Sequence, residues 1–195
     1  MAQSTATDTV EVGRIVARLG SRPLALVGLM GAGKTAVGRR LARLLELEFV
    51  DTDDEIEAAA RMSVADLFAT YGEPEFRALE TRVVARLAAN GPAVIATGGG
   101  AYVNPTTRQF LKENSVTVWL KADLDTLMER VSRRDTRPLL RTPDPRGTMQ
   151  ALIDQRYPIY AEADITVHSR NVARETIARE IAVAVDDWLA ERQGT

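Results

Sequence analysis

One run of eight residues, Gly28-Leu29-Met30-Gly31-Ala32-Gly33-Lys34-Thr35, constrains this chain more than any other. It fits G-x-x-x-x-G-K-[ST], and its flanks fit as well. A short apolar segment, Leu24–Val27, precedes it, and a helical pattern follows it. Strand, glycine-rich loop and helix in that order make a phosphate cradle. Glycines let successive backbone N–H groups turn inward and approach phosphate oxygens closely. The following helix aims its N-terminus at the anion. Lys34 places a compact charge between β- and γ-phosphates, and the Thr35 hydroxyl is a natural ligand for the Mg²⁺ bound to them. Gly31, Ala32, Gly33, Lys34, Thr35 and Ala36 are therefore the expected contacts to a nucleoside triphosphate.

Around the cradle, short apolar runs alternate with amphipathic helices. This predicts a parallel sheet covered on both faces. The strand candidates are Leu24–Gly28, Glu48–Asp51, Ala93–Thr97, Val116–Leu120 and Asp164–Val167. Helices are expected at Lys34–Leu45, after Ser63 with Asp66 at capping-box spacing, and at Thr106–Glu113 behind the cap Asn104-Pro105. Another opens at Asp123 with Leu124, Leu127, Met128 and Val131 on one face. The last carries a stripe of Ile177, Ile181, Val185, Trp188 and Leu189. Val10–Leu19 also has helical spacing and stops at Gly20, whereas Met1–Thr9 is small and polar and reads as disordered. Arg133–Asp144, dense in Arg and Pro, reads as a mobile segment over the sheet's edge.

The 195 residues suit one compact domain. The absence of Cys excludes a disulfide framework, thiolate chemistry and Cys-based metal sites. A single His, His168, excludes a His-rich metal centre and argues against a Ser–His–Asp triad. Lys and Arg number 25 against 27 Asp and Glu, so no bulk basic field draws in nucleic acid. No apolar run approaches the roughly 20 residues of a membrane span, and no secretory signal opens the chain. A cytoplasmic monomer, binding neither nucleic acid nor membrane, is expected.

What receives the phosphate must be read elsewhere. No base-reading N-K-x-D and no L-S-G-G-Q is present. Asp144-Pro145-Arg146-Gly147 matches D-x-x-G but has no apolar strand before it, so it reads as chance. Asp51-Thr52-Asp53-Asp54 ends the second strand, where ligands of such sheets bind. Asp51 and Asp53 stand two apart, so in an extended chain they point the same way. One is expected to hold the metal through water, the other to accept a proton from an alcohol. Thr97-Gly98-Gly99-Gly100 ends the third strand in bare backbone, where a Walker B Asp would ordinarily stand. Arg77, Arg137 and Arg156 are candidates for gripping a carboxylate or phosphate bidentately.

Gly28–Thr35, Asp51-Thr52-Asp53, Phe76-Arg77 with Glu80, Gly98-Gly99-Gly100, Arg137-Pro138-Leu139-Leu140 and Arg156-x-Pro158-x-Tyr160 stand in the order and approximate spacing of the shikimate kinase family. The chain resembles that family from about Pro23 to Val167. The resemblance implies a P-loop NTPase fold of the nucleoside-monophosphate-kinase type: a five-stranded parallel sheet, helices on both faces, and a mobile lid at about 133–144. A kinase domain over 23–195 would then follow an extension over 1–22. It implies transfer of the ATP γ-phosphate to the 3-hydroxyl of shikimate, on the route to chorismate and the aromatic amino acids. Among the residues, it implies Lys34 on the phosphates, Thr35 on Mg²⁺ with Asp51 helping through water, and Asp53 on the shikimate hydroxyls as base. Arg77 and Arg156 would clamp the carboxylate beside Gly98, Gly99 and Gly100, Arg137 would reach the transferring phosphate, and Arg130 would stack on adenine. Two alternatives stay open: another small-molecule kinase of this fold, acting on gluconate or a nucleotide, and a nucleotide-binding regulatory module.

Overall fold

The structure is a computed structural model that describes residues 12–132, 140 and 142–193. The readings of Met1–Thr9, of most of the lid and of Arg137 lie outside the described residues. Residues 12–19 form helix α1. Then follow β1 (Leu24–Val27), α2 (Lys34–Leu45), β2 (Glu48–Asp51), α3 (Thr52–Ala60), α4 (Val64–Ala89) and β3 (Ala93–Ala96). A 3₁₀ turn at Ala101–Val103 leads to α5 (Pro105–Asn114), β4 (Val116–Lys121), α6 (Leu124–Ser132), α7 (Pro145–Tyr160), β5 (Ile165–His168) and α8 (Arg174–Gln193).

The five strands are all parallel, in the order β2-β3-β1-β4-β5. β1 and β3 are buried at every position, as strands covered on both faces must be. Helices α2 and α8 pack together, α4 packs with α5, and α7 packs against α6 and the 3₁₀ turn. Helix α2 shows the periodicity that drives this: Val37, Leu41, Ala42 and Leu45 are buried at helical spacing. Helix α1 joins the same core through Ile15 and Leu19, and Arg14 and Arg18 both donate to Asp186 on α8.

Two elements depart from the sequence reading. The acidic run after β2 is not extended: Asp51 caps α3, accepting from the Asp53 N–H at 3.1 Å, and Asp53 sits in the helix's first turn. The two carboxylates are thus set by a cap and a helical turn, not by strand alternation. Helix α7, not foreseen, begins at the D-x-x-G match. Asp144 is its N-cap, accepting from the Gly147 N–H at 2.8 Å, and Pro145 occupies its first turn. That motif is a helix start, and Pro158 near the far end masked the rest of the pattern. The helix foreseen after Ser63 runs to Ala89 but breaks at Gly72 (φ 80°, ψ 176°), just before Pro74.

Candidate active site

The loops that leave the carboxyl ends of β1, β2, β3 and β5 meet around one cleft of about 960 Å³. Its lining includes Gly31, Gly33, Lys34, Thr35, Ala36, Asp51, Asp53, Gly98, Gly99 and Arg130. A crevice at this edge of an open parallel sheet is where such folds bind ligands.

The cradle is built from consecutive residues. Gly33, at φ 95°, turns the chain into α2, a conformation that L side chains rarely adopt. Lys34 is nearly buried and folds back over its own loop, donating to Gly28 O at 2.7 Å and Leu29 O at 3.0 Å. A phosphate oxygen entering the loop offers the ammonium a charged acceptor in place of two neutral ones. Thr35 Oγ1 donates to Asp51 Oδ2 at 2.8 Å. Arg130 Nη1 donates to Ser169 Oγ at 2.8 Å and reaches Gly31 O and Ala32 O at 3.3 Å, while its Nη2 donates to Arg170 O. Its edges are thus tied down beside the cradle. Sequence reasoning did not foresee the segment after β5, from Ser169 to Ala173, as part of the cleft wall. Nothing in its residue types announces that role.

The acceptor side is assembled from four separate segments. The turn after β3 is its hub. Thr52, fully buried, accepts from the Gly98 N–H at 2.9 Å. A Cβ on Gly98 would lie 2.8 Å from Glu80 Oε1 and 3.0 Å from Asp53 Oδ1, and one on Gly100 would lie 2.6 Å from Arg77 Nη2. Only glycine admits those side chains so close. Arg77 Nη1 donates to Glu80 Oε2 at 2.6 Å, and its Nε and Nη2 face the exposed Glu73 at 3.3 Å. From α7, Arg156 Nη1 donates to Gly99 O at 3.3 Å, and the Tyr160 hydroxyl donates to the same oxygen. The structure therefore brings Asp53, Arg77, Gly98, Gly99, Gly100 and Arg156 together around one turn, beside Lys34, Thr35 and Asp51.

Glu80 is the member whose role the sequence reading left unassigned. Its side chain is 1% exposed. Burial pushes its carboxyl above the usual carboxylate range, with the charges of Asp53 and Glu73 adding to the effect. Arg77 pulls the other way without cancelling it. For Arg77, burial acts to lower the pKa, but Glu80 and Glu73 outweigh it and the guanidinium is held above its ordinary value. The signal for Glu80 was its i+3 spacing from Arg77 on one helix.

A phosphate-binding loop at the centre of a five-stranded parallel sheet, with an acceptor pocket of paired arginines and carboxylates beside it, defines a P-loop small-molecule kinase. The family model for shikimate kinase matches residues 30–186. The shikimate kinase of Rhizobium meliloti is 57% identical over 169 residues, which span 87% of this chain and 88% of the relative. That of Rhizobium leguminosarum bv. trifolii is 57% identical over 172 residues, 88% of each chain. The solved structure of Acinetobacter baumannii shikimate kinase in complex with shikimate superposes with a TM-score of 0.80 at 38% identity, covering 85% of this chain and 93% of that one. The chain belongs to the shikimate kinase family.

Proposed function

We propose that the protein transfers the γ-phosphoryl group of ATP to the 3-hydroxyl of shikimate, as a monomer in the cytoplasm. The observation that carries this reading is the convergence of Arg77, Arg156 and Asp53 on the Gly98–Gly100 turn, next to the phosphate cradle. Shikimate is a carboxylate with three hydroxyls, and two guanidiniums beside one carboxylate complement that pattern.

Phosphoryl transfer asks the protein mainly for alignment and charge neutralisation. Lys34 leaves the Gly28 and Leu29 carbonyls for the β- and γ-phosphates, and the N-terminus of α2 faces the same anion. The Thr35–Asp51 oxygen pair fits Mg²⁺, a hard cation that takes one or two protein oxygens and completes its shell with water and phosphate. Bound there, Mg²⁺ would neutralise phosphate charge. Arg77 and Arg156 hold the acceptor carboxylate, and Asp53 takes the proton of the 3-hydroxyl as its oxygen bonds to the γ-phosphorus. The bond from that phosphorus to the β-phosphate oxygen breaks, and ADP leaves. Arg130 flanks the base. Arg137, carried by the resemblance alone, is assigned to the transferring phosphoryl group. Among the described residues no helix is long and apolar enough to cross a membrane.

An ADP-release assay over a panel of acceptors tests the reading. Turnover is expected with shikimate and not with gluconate or nucleoside monophosphates. Turnover with one of those and none with shikimate would reject it. ATP binding without turnover on any acceptor would favour a regulatory module.

A further inference from the structure

Two donors from one helix converge on the carbonyl oxygen of Gly99. Arg156 and Tyr160 stand one turn apart on α7, so both face the turn after β3. Arg156 Nη1 reaches Gly99 O at 3.3 Å, and the Tyr160 hydroxyl donates to it as well. We infer that Tyr160 is a positioning residue for the acceptor, holding the Gly99 carbonyl so that Arg156 is free to turn to the acceptor's carboxylate without releasing the turn. This inference rests on the reading of Arg156 and Gly98–Gly100 as acceptor contacts.

The argument turns on the difference between the two donors. Arg156 is half-buried, and its Nε is a buried donor with no hydrogen-bond partner. Its contact with Gly99 is long and engages one of several donors, so a charged ligand competes well for it. Tyr160 is held differently, its hydroxyl also within hydrogen-bonding reach of the Arg156 guanidinium. It is fully buried, stacked with Tyr102 at 6.4 Å and packed against Trp119 at 6.1 Å between ring centroids. Burial pushes its phenol up to about 12, so it remains a donor across the working range of any kinase. A buried phenol needs a partner. Here that partner is the backbone of the acceptor turn rather than a neighbouring helix. With no cis peptide in the described chain, fixing the Gly99 carbonyl also fixes the Gly100 N–H, which points the opposite way. Tyr160 thus sets one peptide plane of the turn that Arg77 approaches at Gly100.

The same helix supplies a matched control. Tyr157, half-buried where Tyr160 is fully buried, is another phenol on α7 whose hydroxyl donates to a backbone carbonyl, that of Ala122 after β4. Removing either hydroxyl deletes one bond of the same kind from the same helix, but only Tyr160 holds the acceptor turn.

Tyr160→Phe and Tyr157→Phe are compared with the wild-type protein, with shikimate and ATP each varied and melting temperatures recorded. Wild-type turnover with shikimate comes first; its absence would count against the acceptor reading and not against Tyr160. For Tyr160→Phe, the KM for shikimate rises about fivefold, the effect of one lost hydrogen bond, while kcat and the KM for ATP stay within twofold. For Tyr157→Phe, the KM for shikimate stays within twofold even if the melting temperature falls. An unchanged shikimate KM in Tyr160→Phe, or an equal rise in both variants, overturns the assignment. Should Tyr160→Phe fail to fold, 3-fluorotyrosine placed at 160 and at 157 perturbs the phenols without changing their shape. A shift of shikimate KM at 160 alone then supports the role, and no shift at 160 overturns it.

Discussion

The cradle and the proposed acceptor pocket meet at Asp53, Gly98 and Gly99 in one cleft but are held in different ways. The cradle is a single loop of consecutive residues leaving β1, the central strand, and it rests on the larger apolar core through Leu29, Met30 and Ala32. Its chemistry lies mostly in backbone N–H groups and one lysine. The acceptor pocket draws on α3, α4, the turn after β3 and α7, and its parts hold one another: Thr52 on Gly98, Glu80 on Arg77, Tyr160 and Arg156 on Gly99. Under α3 and α4 lies a separate, smaller apolar cluster around Ile56, Leu67, Phe76 and Val83, and α4 is broken at Gly72. A cradle residue therefore acts on the reaction directly. Under the proposed function, loss of a pocket residue that holds the acceptor is expected in acceptor binding, and loss of Asp53 in the chemical step.

Substitutions can break or sharpen that contrast. Lys34→Ala is expected to have the largest effect, lowering kcat by about 10²–10³-fold, as when one preorganised donor to a developing charge is removed. Shikimate binding, read by calorimetry without nucleotide, should hardly move; a matching loss there would erase the distinction between the halves. Asp53→Asn comes next, with kcat down about 10²-fold for loss of a general base and the Kd for ATP unchanged. Full turnover in that variant removes the proton-accepting role. Arg77→Ala should raise the KM for shikimate about 10–100-fold, since a charge-assisted hydrogen bond is worth about 1.5–3 kcal/mol, with kcat within a few-fold. If only the KM for ATP shifted, Arg77 would belong to the other half.

Glu80→Gln gives the smallest and most specific effect, a rise of several-fold in shikimate KM with a flattened pH profile. Because the folded protein holds Glu80 above the ordinary carboxylate range, its charge is lost as pH falls through that raised value, and with it the hold on Arg77. Wild-type KM should rise toward acid, while the variant is already in that state. Stability runs the other way. A raised carboxyl contributes its stabilisation below the unfolded value and loses it as pH rises through the folded one. The difference in melting temperature should then shift in favour of the Gln variant as pH increases. A wild-type KM flat with pH would remove Glu80 from the network.

The same contrast explains what could be read in the chain before its structure. Gly28–Thr35 is legible because its chemistry is contiguous, and α2 matches the range expected from its apolar spacing. The strands were found as short runs between breakers, although β2 carries charged residues at both ends and β5 alternates buried and exposed positions. The acidic turn at Asp51–Asp54 was misread because a strand that ends directly in a cap looks like one that continues. Helix α7 was missed because its cap mimics another motif and Pro158 interrupts it. On the pocket side, Asp53, Arg77 and Arg156 were candidates by residue type, but the carboxylate-clamp role of Arg77 and Arg156 came through the resemblance, since no local pattern says that residues so far apart share a turn. The roles of Thr52, Glu80 and Tyr160 had no sequence cue strong enough to assign them, because each acts on a backbone or side chain supplied by the fold.

The position of β1 between β3 and β4 has a consequence for redesign. The phosphate-handling loop springs from the middle of the sheet, while the groups that choose the recipient hang from peripheral helices. Under the proposed function, exchanging the acceptor contacts on α3, α4, α7 and the turn after β3 changes the recipient while the phosphate loop stays in place.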